Sequence, residues 1–251
     1  MSRWILLRGL TREGRHWASF PQRLAQETAA KSVTLLDLPG NGREVLVPAP
    51  LNVADMMNFV RTQASAAGLA PPYRLLAMSL GGMVATDWAQ RYPQEIERLV
   101  LVNTSMRPFC AMTERLRPAA WPALARAAVS WADPDRCEGI IHALTCNRVD
   151  TAAADLASWV EIRRTAGVGA ANGLRQLWAA ARFRAHRHAP GCPTLLLSSK
   201  EDRLVDPVCS ARMAARWQAT HTEHPWAGHD LPHDDPEWVS QAIVDWLRRV
   251  Q

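Results

Sequence analysis

With 251 residues, 48% of them hydrophobic, the chain has the apolar content for one sizeable α/β domain or two small ones and is expected to fold alone. Its 29 basic and 24 acidic residues give a net charge of +5, carried almost wholly by arginine because Lys31 and Lys200 are the only lysines. A pI near 9.3 permits an acidic partner without requiring one.

The densest basic run, Arg182-Phe-Arg-Ala-His-Arg-His188, reads as a solvated face, and no nucleic-acid motif accompanies it. Five widely spaced cysteines (Cys110, Cys137, Cys146, Cys192, Cys209) without a Cys-x-x-Cys pair suggest neither a disulfide framework nor a zinc site, and read as reduced thiols. The N-terminal apolar run is too short for a signal peptide, and no later run approaches a membrane span, so a cytoplasmic protein is expected.

In chain order, the first strand is expected over 3–7, followed by Arg8-Gly9-Leu10 and a helix over about 14–28. A second strand, 32–36, leads into Leu36-Asp37-Leu38-Pro39-Gly40-Asn41-Gly42-Arg43, whose glycines suit tight turns, and a helix over 53–67 follows. The third strand, 73–78, ends at Ser79, and a helix over 81–92 and a fourth strand over 98–103 come next. Ser79 is read at this point either as a helix cap or as a nucleophile. From 105 to 189 no strand pattern is found. Ala-rich helical segments there carry Pro108, Pro118, Pro122 and Pro134, and Trp121, Trp131, Trp159 and Trp178 give them large apolar surfaces for packing.

Strand and helix patterns resume with 194–198, the loop Ser-Lys-Glu-Asp-Arg-Leu-Val-Asp-Pro, a helix over 207–218, a strand over 220–225 and Trp-Ala-Gly-His-Asp-Leu-Pro-His. The last helix, 236–249, opens with Asp235 as N-cap and Pro236 in the first turn, and puts Val239, Ile243, Trp246, Leu247 and Val250 on one stripe. Four strand runs lack polar alternation, as strands covered on both faces do. Strands alternating with helices imply right-handed crossovers and a doubly wound, mostly parallel sheet. In such a sheet, sites collect at the carboxyl ends of the strands. Ser79, Asp202 and His229 each follow a strand run.

Ala77-Met78-Ser79-Leu80-Gly81-Gly82, with Asp202 and His229 later in the chain, resembles the α/β-hydrolase superfamily, whose nucleophile elbow is G-x-S-x-G and whose triad runs Ser, acid, His. The resemblance covers essentially the whole chain. It implies an α/β-hydrolase core of about six strands over 1–104 and 190–251, without an N-terminal hairpin, and a helical cap over 105–189. Ser79 would be the nucleophile, His229 its base, and Asp202 the group that orients the imidazole. The oxyanion donors would be the backbone N–H groups of Leu80 and Leu10. Trp17 and Met78 are the candidate substrate contacts, although core packing is the competing reading of both.

Two positions depart from the family pattern. Ala77 stands for the first glycine of the elbow, and Arg8 for the histidine of the oxyanion loop, where bracing of that loop is its expected role. Asp206 and Glu201 compete with Asp202, as His233 and Asp230 do with His229. His16, His142, His186, His188, His221 and His224 lack a partner signature and read as surface or local hydrogen-bonding groups.

A serine nucleophile implies a carboxylic ester or thioester hydrolase, similar to the small esterases of the pimeloyl-carrier methyl ester type. No cofactor or metal is implied. The expected partner is a small-molecule ester or an acyl-carrier-linked substrate, with Arg163, Arg164, Arg175, Arg182, Arg184 and Arg187 as candidate receivers of an acidic acyl carrier. Two alternatives are a catalytically silent binding protein on the same scaffold and a carbon–carbon bond hydrolase or lyase.

Overall fold

The computed structural model describes residues 3–250. Six strands, β1 (Arg3–Leu7), β2 (Ser32–Leu36), β3 (Tyr73–Met78), β4 (Ile96–Val102), β5 (Thr194–Ser199) and β6 (Thr220–His224), form one sheet in the order β2-β1-β3-β4-β5-β6. Every neighbouring pair is parallel. The helices are α1 (Phe20–Glu27), α2 (Val53–Ala66), α3 (Leu80–Arg91), then α4 (Met112–Arg115), α5 (Trp121–Val129), α6 (Pro134–Thr145), α7 (Ala152–Ala166) and α8 (Ala170–Arg182) between β4 and β5. After β5 come α9 (Val208–Trp217), α10 (Leu231–Asp234) and α11 (Pro236–Arg249).

Successive strand residues point to opposite faces, so each central strand feeds two cores. Ile5, Leu7, Leu75, Ala77, Leu99, Leu101 and Leu196 join one core with residues of α2, α3 and α9. Trp4, Leu6, Leu76, Met78, Val100, Val102, Leu195 and Leu197 join the other with residues of α1 and α11. Burial on both faces explains the unbroken apolar runs of β1, β3, β4 and β5. The edge strands β2 and β6 are partly exposed and carry the polar residues.

The helix expected over 14–28 is broken. Gly14–Trp17 forms a single 3-10 turn, Ala18 takes φ +47°, and α1 restarts at Phe20. Pro21 is the physical reason: it has no N–H to give Trp17, and its ring would strike the Trp17 carbonyl in a continuous helix. In the first turn of α1 it is harmless.

Between β4 and β5 the prolines again open helices. Pro118, Pro122 and Pro134 all sit in first turns, and Asp133 caps α6 by accepting from Arg136 N–H at 3.1 Å. The four tryptophans of this insertion do not pack alike. Trp159 is buried, whereas Trp121 and Trp178 are half exposed, which corrects the expectation that all four serve packing. No helix among the described residues is long and apolar enough to cross a membrane.

Candidate active site

Ser79 joins β3 to α3 with φ +53° and ψ −119°, a backbone conformation that favours glycine. It occupies the N-cap position of α3, yet its side chain makes no capping hydrogen bond, so the hydroxyl is not committed to the helix. The strained turn is clamped by its backbone: Ser79 N–H donates to Val102 O at 3.0 Å, and Ser79 O accepts from Thr104 Oγ1 at 2.7 Å.

The glycines after it are required by contact. A Cβ on Gly81 would collide with Arg8 O and lie 2.7 Å from Leu7 O, and one on Gly82 would lie 2.7 Å from Thr104 Oγ1. Ala77 needs no such clearance. It is fully buried in β3, paired with Leu7 on one side and Leu101 on the other, and the elbow beyond it closes with alanine in place.

The loop after β1 runs against the elbow. A Cβ on Gly9 would sit 2.9 Å from Ser79 Cβ and 3.4 Å from its Oγ, so only glycine lets the two chains approach this closely. Among the described residues, neither Leu10 N–H nor Leu80 N–H donates to a protein acceptor.

Asp202 and His229 meet directly. The His229 Nδ1 lies 2.7 Å from Asp202 Oδ2, with both side chains buried. The other carboxylate oxygen of Asp202 accepts the N–H groups of Leu204 and Val205 at 2.7 and 2.9 Å, which orients it. Asn103, at the end of β4, donates from Nδ2 to His229 O at 2.8 Å and to Ser199 Oγ at 3.0 Å. Its neighbour Thr104 holds the Ser79 carbonyl, so two consecutive residues tie the serine turn and the histidine loop to one point of the sheet. Among the described residues, no hydrogen bond links Ser79 Oγ to His229. Neither competing acid is hydrogen-bonded to His229 among the described residues: Asp206 accepts from Val208 N–H at 3.0 Å, and Glu201 is exposed.

Arg8 does brace its loop. Its guanidinium forms a two-pronged pair with Asp230, the residue after His229, and both side chains are about 3% exposed. Burial alone would push the Asp230 carboxyl up, but the Arg8 charge prevails and holds it below the usual carboxylate range. Arg8 also lies over the Trp17 ring, 4.8 Å from its centre. Trp17 and Met78 are both buried in the core that faces α1 and α11, so the expectation that they touch substrate is replaced by packing. The physical reason for Trp17 is its stack on Phe20 beneath Arg8.

The chain matches, over residues 5–235, the hydrolase family described as "Serine aminopeptidase, S33". It belongs to that family. Among curated relatives, the pimeloyl-[acyl-carrier protein] methyl ester esterase of Chromobacterium violaceum is 35% identical over 111 residues, 43% of this chain and 38% of that relative, so the alignment spans well under half of either. RutD of Pantoea ananatis, named as a candidate carbamate hydrolase, is 27% identical over 98% of this chain and 88% of its own length. Among solved structures, a thermophilic esterase from Thermogutta terrifontis superposes with a TM-score of 0.74 at 24% identity, covering 100% of this chain and 90% of that one. The enol-lactonase of Burkholderia xenovorans gives 0.73 at 20% identity over 99% and 84%. These likenesses establish the α/β-hydrolase fold.

In this hydrolase the insertion is bolted to the loops of the sheet by buried polar side chains that sequence reading did not single out. Glu138 of α6, buried, accepts from Arg12 Nη1 at 2.7 Å and from Arg163 Nη1 at 3.1 Å. Gln176 of α8, fully buried, accepts from Thr11 N–H at 2.9 Å and donates to Pro39 O and Asn41 Oδ1 at 2.9 and 2.7 Å. Asn41 and the positive-φ Gly40 and Gly42 belong to the turn-rich loop after β2, so that loop seats α8.

One of the candidate carrier-binding arginines is spent in this hydrolase, and a second forms an exposed surface pair. Arg163 is buried against Glu138, and Arg164 pairs with Asp135 at 2.7 Å. Arg175, Arg182, Arg184 and Arg187 are exposed. Of the histidines expected at the surface or in local hydrogen bonds, His16 and His224 are buried and accept local N–H groups, Glu13 N–H to His16 Nδ1 at 3.1 Å and Ala227 N–H to His224 Nδ1 at 2.9 Å, and His142 is buried as well. Burial, together with Arg12 and Arg8, drives the His16 imidazole well below its usual pKa.

Proposed function

We propose that this hydrolase cleaves a carboxylic ester or thioester through an acyl-enzyme on Ser79. The observation that carries the reading is the buried 2.7 Å Asp202–His229 pair, carried on the same end of the sheet as a strained serine turn whose hydroxyl caps nothing. Ser79 Oγ attacks the carbonyl carbon while His229 Nε2 takes its proton, and Asp202 stabilises the imidazolium formed. The carbonyl oxygen becomes an oxyanion that accepts Leu10 and Leu80 N–H. His229 then protonates the departing alcohol or thiol, and water repeats the sequence to release the acid and restore Ser79.

In this reading residues 105–189 act as a cap. Its α8 reaches the oxyanion loop itself, since Gln176 holds Thr11 N–H one residue beyond Leu10. The free arginines Arg175, Arg182, Arg184 and Arg187 offer an acidic acyl carrier a basic face, and partial likeness to the carrier methyl ester esterases supports that choice. The near full-length likeness to RutD adds carbamates to the substrates to be tried.

The test is hydrolysis of p-nitrophenyl esters of graded acyl length by the wild type and Ser79→Ala. Activity in the first and its loss in the second is expected; equal inactivity of both across acyl lengths and pH overturns the reading in favour of a silent binding protein. Carrier-linked substrate turnover should fall steeply with salt while small esters stay nearly flat, and a flat carrier response removes the carrier.

A further inference from the structure

We propose that His142, Cys146 and His233 form a binding site for a divalent transition metal of the zinc class, which staples the helical insertion to the loop carrying His229. One ligand atom from each of the three residues lies within 4.8 Å of the other two. His142 is in α6, Cys146 caps its C-terminus one turn later on the same face, and His233 is in α10.

Both imidazoles present an unsatisfied nitrogen. The Nε2 atoms of His142 and His233 are buried with no hydrogen-bond partner, His142 being 8% exposed and the His233 side chain 7%. Asp155 Oδ2 lies 3.1 Å from His233 Nε2, but the approach lacks hydrogen-bond alignment, and that oxygen already accepts from Thr151 Oγ1. Cys146 Sγ has one weak polar contact, Thr145 Oγ1 at 3.8 Å. A buried polar atom left without a partner is costly, and two such imidazole nitrogens on residues clustered with one thiol point to a missing ligand.

The donor set fits the ion. Two imidazoles and one thiolate are borderline-soft ligands of the kind zinc takes, and tetrahedral bonds of that type put ligand atoms about 3.3–3.8 Å apart. Closing from the present spread requires side-chain shifts of about 1 Å. The backbones are already in place: Asp230 N–H donates to Thr145 O at 2.8 Å, and the Asp234 carboxylate accepts from Asn147, Arg148 and Gly228 N–H at 2.7–3.0 Å. The Trp159 ring walls the site, 5.1 Å from His142 and 5.2 Å from His233 between ring centres. Asp155 Oδ2, 3.1 Å from His233 Nε2, offers an oxygen for the fourth position. On binding, two metal–nitrogen bonds and one metal–sulfur bond form, hydration waters leave, and the thiol proton passes to solvent.

The test uses the full chain, stripped with a chelator and titrated with Co2+ and then Zn2+. One equivalent of Co2+ with a thiolate charge-transfer band and the intense visible bands of a four-coordinate site is expected, with Zn2+ displacing it and raising Tm by about 5 °C. Cys146→Ser should abolish the charge-transfer band and weaken binding at least tenfold, and His142→Gln and His233→Asn should each weaken it similarly. Ser79→Ala should bind as the wild type does, which separates this site from the proposed nucleophile. Sub-stoichiometric uptake, a pale six-coordinate spectrum, or unchanged binding by a folded Cys146→Ser overturns the proposal. If circular dichroism shows Cys146→Ser to be unfolded, the wild-type spectrum and the two histidine variants decide.

Discussion

The sheet and the helical insertion hold their buried polar side chains by different means. At the carboxyl ends of β3 to β5 the backbone does most of the holding: Ser79 is clamped through its own N–H and C=O, and Asp202 sits on two N–H groups. In the insertion, buried side chains do the holding, with Glu138 between two arginines and Gln176 reaching Thr11 N–H, Pro39 O and the Asn41 side chain in the loops after β1 and β2. Backbone-held positions follow from strand register and survive the loss of one neighbour. Side-chain-held positions fail when one partner is removed, because the other is left buried and unpaired. Arg8 with Asp230 and Asp202 with His229 join the two styles, as side-chain pairs inside the sheet's own loops.

Substitutions can break this contrast. Ser79→Ala should lower kcat on p-nitrophenyl esters by about 10⁴-fold or more while Tm stays put, because the clamp is made by backbone. Glu138→Leu should destabilise by about 3–5 kcal/mol in urea unfolding, leaving Arg12 and Arg163 buried without their anion, while hydrolysis per folded molecule changes little. Asp230→Asn should match that stability loss and also lower kcat, since Arg8 then releases the loop bearing Leu10; stability and kcat both at wild-type level would show that the tether is idle. Gln176→Ala should cost about 1–3 kcal/mol, detectable by the same unfolding curves.

The smallest effect is one of pH. The imidazole of His16 stays neutral when folded because burial and the neighbouring arginines hold its pKa well below the usual value. The unfolded chain takes up that proton near pH 6.5, so stability should fall as pH drops below about 6.5, by at most about 1.4 kcal/mol per pH unit, and level off under the folded pKa. Replacing His16 with Phe should flatten this part of the curve. The depressed carboxyl of Asp230 acts further down: its stabilisation is complete above the ordinary carboxylate pKa and disappears as pH falls through the lower folded value.

Local patterns carried a great deal in this protein. Unbroken apolar runs marked strands covered on both faces, and the position of Ser79 and Asp202 after such runs, and of His229 after the polar edge strand β6, brought them to one end of a parallel sheet. The contact-limited Gly81 and Gly82 were visible as a motif, and Asp235 as a cap. Asp230 had a signal too, as a charged neighbour of His229, but nothing local named its partner.

What tertiary structure alone decided was pairing at a distance. Arg8 finds Asp230 across 222 residues, Gln176 finds Thr11 across 165, and His142 and Cys146 meet His233 only because α6 ends against the Gly228 turn. Cysteine spacing gave no hint of that last group, since its histidines come from separate elements. Period-two and period-3.6 patterns are written in neighbours along the chain. The partner of a buried charge is chosen by where the loops land after the sheet has closed.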